Sequence, residues 1–594
     1  MLPMSLQPPS RGKVAFGVLA GLYLLDSPRL RLFLEPSLWA PFALAGSVWL
    51  RARPGTGAGR SILGLLSSEV GVLGGDLLGL VLLCDLLRKA LALRRGASVW
   101  LGSLLSPPAW PNSPRRSFQS ATKALQKAAV AVAMKVASRT PGLAGILQAE
   151  IDKEVTKMEA DLLREMRPAG RDARSTMPEK GLPASEIKAM VKAFAAKEDK
   201  TWEDGRVSGA VYHGGAEHLA LLNECYAATS VCNPLHPDIW PSSIKFESEV
   251  VKWVADLVRG GDPDVCGAVT SGGTESIILA AKAHRDRALS RGVSRPEMVA
   301  CVTAHAAIDK ACDLMGLRLV KLPMTDDYVL DLGALQAAIN ADTCMVYASA
   351  PSFPQGAIDP IAAVSSLVRS MDPSGERLGL HVDCCLGGFV LPFAKEAGFQ
   401  VPQFDFGLPG VTSMSVDTHK YGYASKGTSV VLFRSKALRK HMYFAYPEWT
   451  GGLYVTPTIA GSRPGGLTAS CWASLASIGH EGFVERTRAI LECVKSIADG
   501  VRSIPGLYLL GDPPAMVVCF GSREVDVLAV SDLMATKRFG WSLNALQNPS
   551  CVHLCVTLRT LGKEAQFLAD LAVSLEEVAR PSQPPELSTI CPSP

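Results

Sequence analysis

The chain has 594 residues, 48% hydrophobic and 20% charged, with 53 glycines, 40 prolines and a formal net charge of +4. That length can hold two or three domains and a large core. The small charge, with no zinc-finger spacing, Walker A loop or basic-aromatic interleaving, argues against a nucleic-acid partner, and fifteen cysteines without a repeating framework read as free thiols in a reducing compartment, with no metal site expected.

Residues 1–100 form a hydrophobic amino-terminal region with three apolar stretches, 14–25, 36–50 and 62–87. The last is long enough to span a bilayer at about 1.5 Å per residue, yet it carries Glu69, Asp76 and Asp85. Between Arg88 and Thr140 there are ten basic residues and no acidic one, a bias that puts the rest of the chain on the cytoplasmic side if any earlier stretch spans. A membrane anchor is expected here, with an amphipathic or targeting leader as the alternative. Residues 101–145 are a basic, proline-containing linker, and 146–230 a charged helical segment leading into the catalytic body.

From 231 to 455 strand-like and helical runs alternate. The strands are expected at 265–270, 298–303, 317–322, 344–349, 378–382, 411–416 and 429–433, with helices at 275–287, 332–339 and 361–370. Such alternation predicts an α/β fold, a mainly parallel sheet covered by helices. A small α+β carboxy-terminal domain is expected over 456–580, then a disordered tail, 581–594.

The chemistry-bearing residues punctuate these runs. Lys420 ends S-V-D-T-H-K, and Asp383 ends the strand-like run before it. A lysine amine can form a Schiff base with the aldehyde of pyridoxal 5'-phosphate, and a buried aspartate can pair with the protonated pyridine. Gly272, Gly273 and Thr274 lie between a strand and a helix, where free N–H groups and a hydroxyl suit a phosphate. His305 follows another strand and could stack on the pyridine, and His419 could donate to the phosphate. A desolvated site near other cations would lower the pKa of Lys420. Lys426 and Arg463, in glycine-rich basic loops, are candidates for an anionic substrate group, as is His236 in N-P-L-H-P-D. Each residue taken singly has an ordinary structural reading as a cap, a turn or a solvated charge.

The motifs together resemble one family. G-R-V-S-G-A-V-Y, C-N-P-L-H-P-D, V-T-S-G-G-T-E-S, A-H-A-A-I-D-K-A, H-V-D-C-C-L-G-G-F, S-V-D-T-H-K-Y-G-Y-A-S-K-G and T-P-T-I-A-G-S-R-P-G-G are similar to those of the sphingosine-1-phosphate lyases, fold-type I pyridoxal phosphate enzymes. The resemblance runs from residue 201 to 560. It implies Lys420 as the Schiff-base lysine, Asp383 as pyridine partner and His305 as stacking residue. Tyr212, Asn233, His236, Lys426, Tyr454 and Arg463 fall near the substrate. The implied reaction is retro-aldol cleavage of a phosphorylated long-chain sphingoid base to a fatty aldehyde and phosphoethanolamine, with Lys420 and Tyr454 as candidate bases. A homodimer with interface active sites on the cytosolic face of the endoplasmic reticulum membrane is also implied. Ser425 departs from the proline expected before Lys426 in many relatives. An amino-acid α-decarboxylase of the same fold and a catalytically dead scaffold remain as alternatives.

Overall fold

All seven strand-like runs of the central region become strands of one sheet. The structure, a computed structural model, describes residues 176–196, 201–513 and 515–580, with scattered positions between 149 and 160. The three apolar stretches, the basic linker and the tail lie outside the described residues. Among the described residues no helix is long and apolar enough to cross a membrane.

The strands are β1 (Cys266–Thr270), β2 (Glu297–Cys301), β3 (Arg318–Leu322), β4 (Thr343–Ser349), β5 (Gly379–Asp383), β6 (Val411–Val416) and β7 (Ser429–Phe433), in the order β1-β7-β6-β5-β4-β2-β3. β7 is antiparallel to both β1 and β6, so the other six point one way. Every residue of β2, β4, β5, β6 and β7 is buried, which is why β2, β4 and β7 carry nearly unbroken apolar runs rather than alternating ones, while His381 of β5 and Ser413 and Ser415 of β6 are buried in hydrogen bonds to one another.

Helices precede the sheet, cover it and extend the chain beyond it. Before it come α1 (Ala184–Ala195), α2 (Ala216–Thr229) and α3 (Pro241–Leu257). The crossovers include α4 (Gly273–Ser290), α5 (Ala307–Met315), α6 (Leu332–Ala338) and α7 (Ile361–Met371). Asp331 caps α6 by accepting from Ala334 N, and Gly316 ends α5 in the left-handed conformation at φ 63°. The predicted 275–287 helix is longer at both ends, starting at Gly273 within the glycine turn itself.

After a two-stranded hairpin, β8 (Phe444–Tyr446) and β9 (Tyr454–Thr456), comes α8 (Gly465–Ser503), broken by non-helical Gly479. A four-stranded antiparallel sheet comes next: β10 (Leu507–Leu509), β11 (Val517–Ser522), β12 (Asn544–Leu546) and β13 (Cys551–Cys555). Its core includes Phe520, Trp541 and Phe567, and Tyr421 Oη, one residue past Lys420, donates to Val556 O at 2.6 Å. The lysine loop is thereby fixed to the smaller sheet as well as to the larger.

Candidate active site

The predicted cofactor groups gather at the carboxyl edge of the large sheet. Gly272, Gly273 and Thr274 follow β1, His305 follows β2, Asp383 ends β5, and His419 and Lys420 follow β6. Strand ends that point the same way bring loops far apart in sequence to one edge, where open α/β sheets bind ligands.

Asp383 is buried and fully engaged on one side. Its Oδ1 accepts from Cys385 N and Ser415 Oγ, each at 3.0 Å, and its Oδ2 accepts from Tyr347 Oη. Burial pushes this carboxyl up, but the donors from Tyr347 and Cys385 outweigh it, so the group sits below the ordinary aspartate range. Sheet register explains the grouping: Asp383 lies beside Ser415 on β6, and Tyr347 lies beside His381.

Lys420 Nζ lies 2.9 Å from Asp417 Oδ2, and the other oxygen, Oδ1, is buried without a hydrogen-bond partner. Burial alone would pull the lysine down. Asp417, with Cys385 and Asp383 behind it, outweighs burial and holds Lys420 above the usual lysine range. The sequence expectation of a depressed lysine is therefore corrected: the cation next to it, Lys426, is outweighed by two carboxylates.

Gly273 shows how closely the loops meet. A Cβ there would fall 2.7 Å from Cys385 Sγ and 2.9 Å from both Asp417 oxygens, so only glycine lets the start of α4 approach. Thr274 is the second residue of that helix, whose first N–H groups have no intrahelical acceptor. His419 Nδ1 is hydrogen-bonded to Thr428 O, so Nδ1 carries the proton and Nε2 faces Asp417 at 3.9 Å. Burial lowers the His419 pKa.

Lys426 and Tyr212 form the adjoining wall. Lys426 Nζ donates to Ala210 O at 3.1 Å and rests 4.8 Å from the centre of the Tyr212 ring. Burial and then Lys420 lower the pKa of Lys426. Tyr212 packs edge-on to Tyr421 at 5.0 Å, and burial keeps its hydroxyl protonated. Ser425, the departure noted in the sequence, hydrogen-bonds Ser470 Oγ at 3.0 Å and leaves Lys426 in place.

Other candidates fall into a second cluster. Asn233 Oδ1 accepts from Arg463 N and from Leu235 N, both at 3.1 Å, and Asn233 Nδ2 donates to Ser462 Oγ at 3.1 Å. The Arg463 guanidinium is bound to Glu247 Oε1 at 2.7 Å, both side chains 12% exposed. Within one chain it is therefore a loop fastener. His236 meets the edge of Trp240 at 6.4 Å. Tyr454 lies on β9, packed edge-on against Trp449 and Phe444. Glu275 links the clusters: its two oxygens accept from Ser271 N at 2.6 Å and Ile459 N at 3.0 Å. His305 Nδ1 accepts from Ala307 N at 3.1 Å, leaving Nε2 with the proton.

Sequence reasoning missed Asp417, Tyr347, Ser415, Cys385 and His381 as site residues. Asp417 had a signal, lying three residues before Lys420, one turn of chain away. Tyr347 is hidden in an apolar strand.

These residues fit pyridoxal 5'-phosphate. A carboxylate has about four acceptor positions. Three on Asp383 are taken, and the one left on Oδ2 matches a single pyridine N–H. Lys420 would hold the aldehyde carbon, and the α4 start with the Thr274 hydroxyl would take the phosphate. The expected donation from His419 is corrected, because its Nδ1–H is already spent on Thr428 O.

The chain matches the family model described as the pyridoxal-dependent decarboxylase conserved domain over residues 169–523. It is 46% identical over 439 residues to a sphingosine-1-phosphate lyase of Dictyostelium discoideum, covering 74% of this chain and 80% of the relative. It is 41% identical over 436 residues to sphingosine-1-phosphate lyase 1 of Rattus norvegicus, covering 73% and 75%. A solved Burkholderia pseudomallei sphingosine-1-phosphate lyase superposes with a TM-score of 0.66 at 39% identity, covering 69% of this chain and 94% of that one. Glutamate decarboxylase of Lactobacillus brevis, 19% identical with a TM-score of 0.60, shares the fold.

Proposed function

Because the chain belongs to the sphingosine-1-phosphate lyases, a family of pyridoxal-dependent enzymes, we propose that it cleaves the C2–C3 bond of a phosphorylated long-chain sphingoid base. The products are a long-chain fatty aldehyde and phosphoethanolamine. The observation that carries this is Lys420, ion-paired to Asp417, at the same sheet edge as an ionised Asp383 that has one acceptor position open.

When bound, the cofactor supplies an aldehyde to capture the substrate amine and an electron sink for the breaking carbon–carbon bond. Asp383 keeps a negative charge where the pyridine nitrogen would sit. Asp417 Oδ2 holds the Lys420 ammonium in place at 2.9 Å, so Nζ is aimed where the aldehyde carbon would be captured once it has lost its proton. Lys426 has an ammonium with three donors, one used on Ala210 O, so it can bind the substrate phosphate beside the Tyr212 hydroxyl. Holding the phosphate fixes which substrate bond stands across the ring, and so which bond breaks.

The same reading makes the enzyme a homodimer with active sites at the interface. Ile187, Val191 and Phe194 recur at helical spacing on α1 and are 48%, 62% and 49% exposed, and no residue of α1 is buried. The β8–β9 hairpin exposes Phe444, Tyr446 and Trp449 around Tyr454. Burying both in a second copy would bring Tyr454 and His236 to a neighbouring site. The apolar leader and its basic flank support attachment to the endoplasmic reticulum membrane with the catalytic body in the cytosol.

The deciding experiment supplies purified full-length protein and cofactor with a sphingoid base phosphate and measures aldehyde. Release by the native enzyme and none by Lys420→Ala is expected; carbon dioxide from amino acids in place of aldehyde would overturn the reading.

A further inference from the structure

A column of buried polar groups stands behind Asp383. His381 Nδ1 lies 2.9 Å from Ser413 Oγ, and its Nε2 lies 3.2 Å from Ser415 Oγ. Ser415 Oγ in turn lies 3.0 Å from Asp383 Oδ1. An ionised carboxylate only accepts, so the one hydroxyl proton of Ser415 goes to Asp383. Ser415 must then accept from His381 Nε2–H, which leaves Nδ1 to accept from the Ser413 hydroxyl. The protons therefore all point one way, Ser413 to His381 to Ser415 to Asp383. Burial holds His381 neutral, with its pKa pushed down to about 4, as this arrangement requires. On the other oxygen stands Tyr347, fully buried, whose hydroxyl has Asp383 as its hydrogen-bond acceptor. Its phenol stays protonated because burial and then the Asp383 charge raise its pKa.

A phenylalanine would fill the same space, and a buried hydroxyl without a partner is costly. With two donors on Oδ1 and none on Oδ2, the carboxylate could rock about its anchored oxygen. We propose that Tyr347 is a positioning residue for this enzyme: its hydroxyl shares Asp383 Oδ2 with the pyridine N–H, while the one-way Ser413–His381–Ser415 chain fixes Oδ1. Tyr347 thus sets both the aim and the effective charge of Asp383. The inference rests on the proposed function in that Asp383 must face a pyridine nitrogen. The other titratable groups acting on Asp383 or influenced by it are Lys420, Cys384 and Cys385, of which Cys385 gives its backbone N–H to Oδ1.

The test titrates cofactor into cofactor-depleted native enzyme, Tyr347→Phe and Ser415→Ala. Three quantities are followed: the dissociation constant, the pH at which the bound cofactor's absorbance converts, and melting with and without cofactor. The expected result is binding weaker by about tenfold for each variant, the worth of one hydrogen bond to a charged group. A displaced absorbance midpoint and a smaller cofactor-induced rise in melting temperature should accompany it. Native affinity and native midpoint in both variants, with melting lowered equally in the two states, would make these residues core filler and overturn the inference. If Tyr347→Phe does not fold, Ser415→Ala decides by the same three quantities. If the native chain itself takes up no cofactor, the proposed function falls along with the inference, which separates that failure from this one.

Discussion

Lys420 Nζ and Asp417 Oδ2 lie 2.9 Å apart, three residues from each other in the loop after β6, with the Asp417 side chain only 2% exposed. Schiff-base chemistry needs a neutral amine, and this pair favours the ammonium. Replacing Asp417 by Asn removes the largest influence raising the lysine, leaving burial to lower it. The amine would then be free at lower pH. Cofactor capture measured against pH should show its midpoint moved downward by at least about one unit, a tenfold change in free amine at a given pH. Turnover should fall, because the group that holds Nζ in place is gone. An unmoved capture profile would refute this role for Asp417.

Lys426 answers to a different measurement. Its ammonium is held by one carbonyl and the face of Tyr212, which leaves donors for a phosphate. Lys426→Met should raise KM for the phosphorylated base by about tenfold to a hundredfold, the range for a charged hydrogen bond in a partly buried site. Cofactor affinity should stay near native. If cofactor affinity fell and KM did not, Lys426 would belong to the cofactor's phosphate instead.

Gly273→Ala tests the close approach of α4. The added Cβ would meet Cys385 Sγ and both Asp417 oxygens at under 3 Å, and a buried thiol has little room to move. Overpacking of this kind costs about 1–3 kcal/mol. Urea denaturation should show that loss, and cofactor affinity should fall with it.

The large sheet was legible in the sequence because parallel strands buried on both faces leave continuous apolar runs, such as Cys344–Ser349 within β4. Lys420, Asp383 and the glycine turn were legible because each stands where such a run stops. Tyr347 was not, since its meaning depends on strand register: it lies beside His381 in space, and only then does its hydroxyl reach Asp383. The partner of Arg463 was hidden for another reason. Glu247 lies 216 residues earlier, and nothing local to a glycine-rich basic loop reveals a carboxylate arriving from α3.

That pair yields its own prediction. Arg463 and Glu247 are mostly buried, and Glu247 Oε1 also accepts from Val269 N on β1 at 3.1 Å. Removing one partner strands the other charge. Glu247→Ala should cost about 3–5 kcal/mol by chemical denaturation. It should also loosen the 459–463 loop, read as faster hydrogen exchange there. A loss of substrate affinity without loss of stability would instead assign the guanidinium to the substrate.

Buried histidines tie stability to acid, His381 and His553 among them. Burial pushes the pKa of His381 down to about 4, and that of His553 likewise to about 4, from an ordinary 6.5. A histidine whose folded pKa is depressed stabilises the fold fully above its unfolded pKa, and that stability is lost as pH falls through the folded value. Each therefore contributes on the order of a few kcal/mol at neutral pH, withdrawn between about pH 6.5 and 4. His553 Nδ1 bonds Pro354 O at 2.8 Å, on the smaller sheet and with no hydrogen-bond partner shared with His381, so the two effects should add. His381→Gln should flatten the stability curve over that window by one proton's worth, and His553→Gln by a second. Equilibrium unfolding at a series of pH values checks both, and a native slope in either variant would show that its histidine titrates normally in the folded chain.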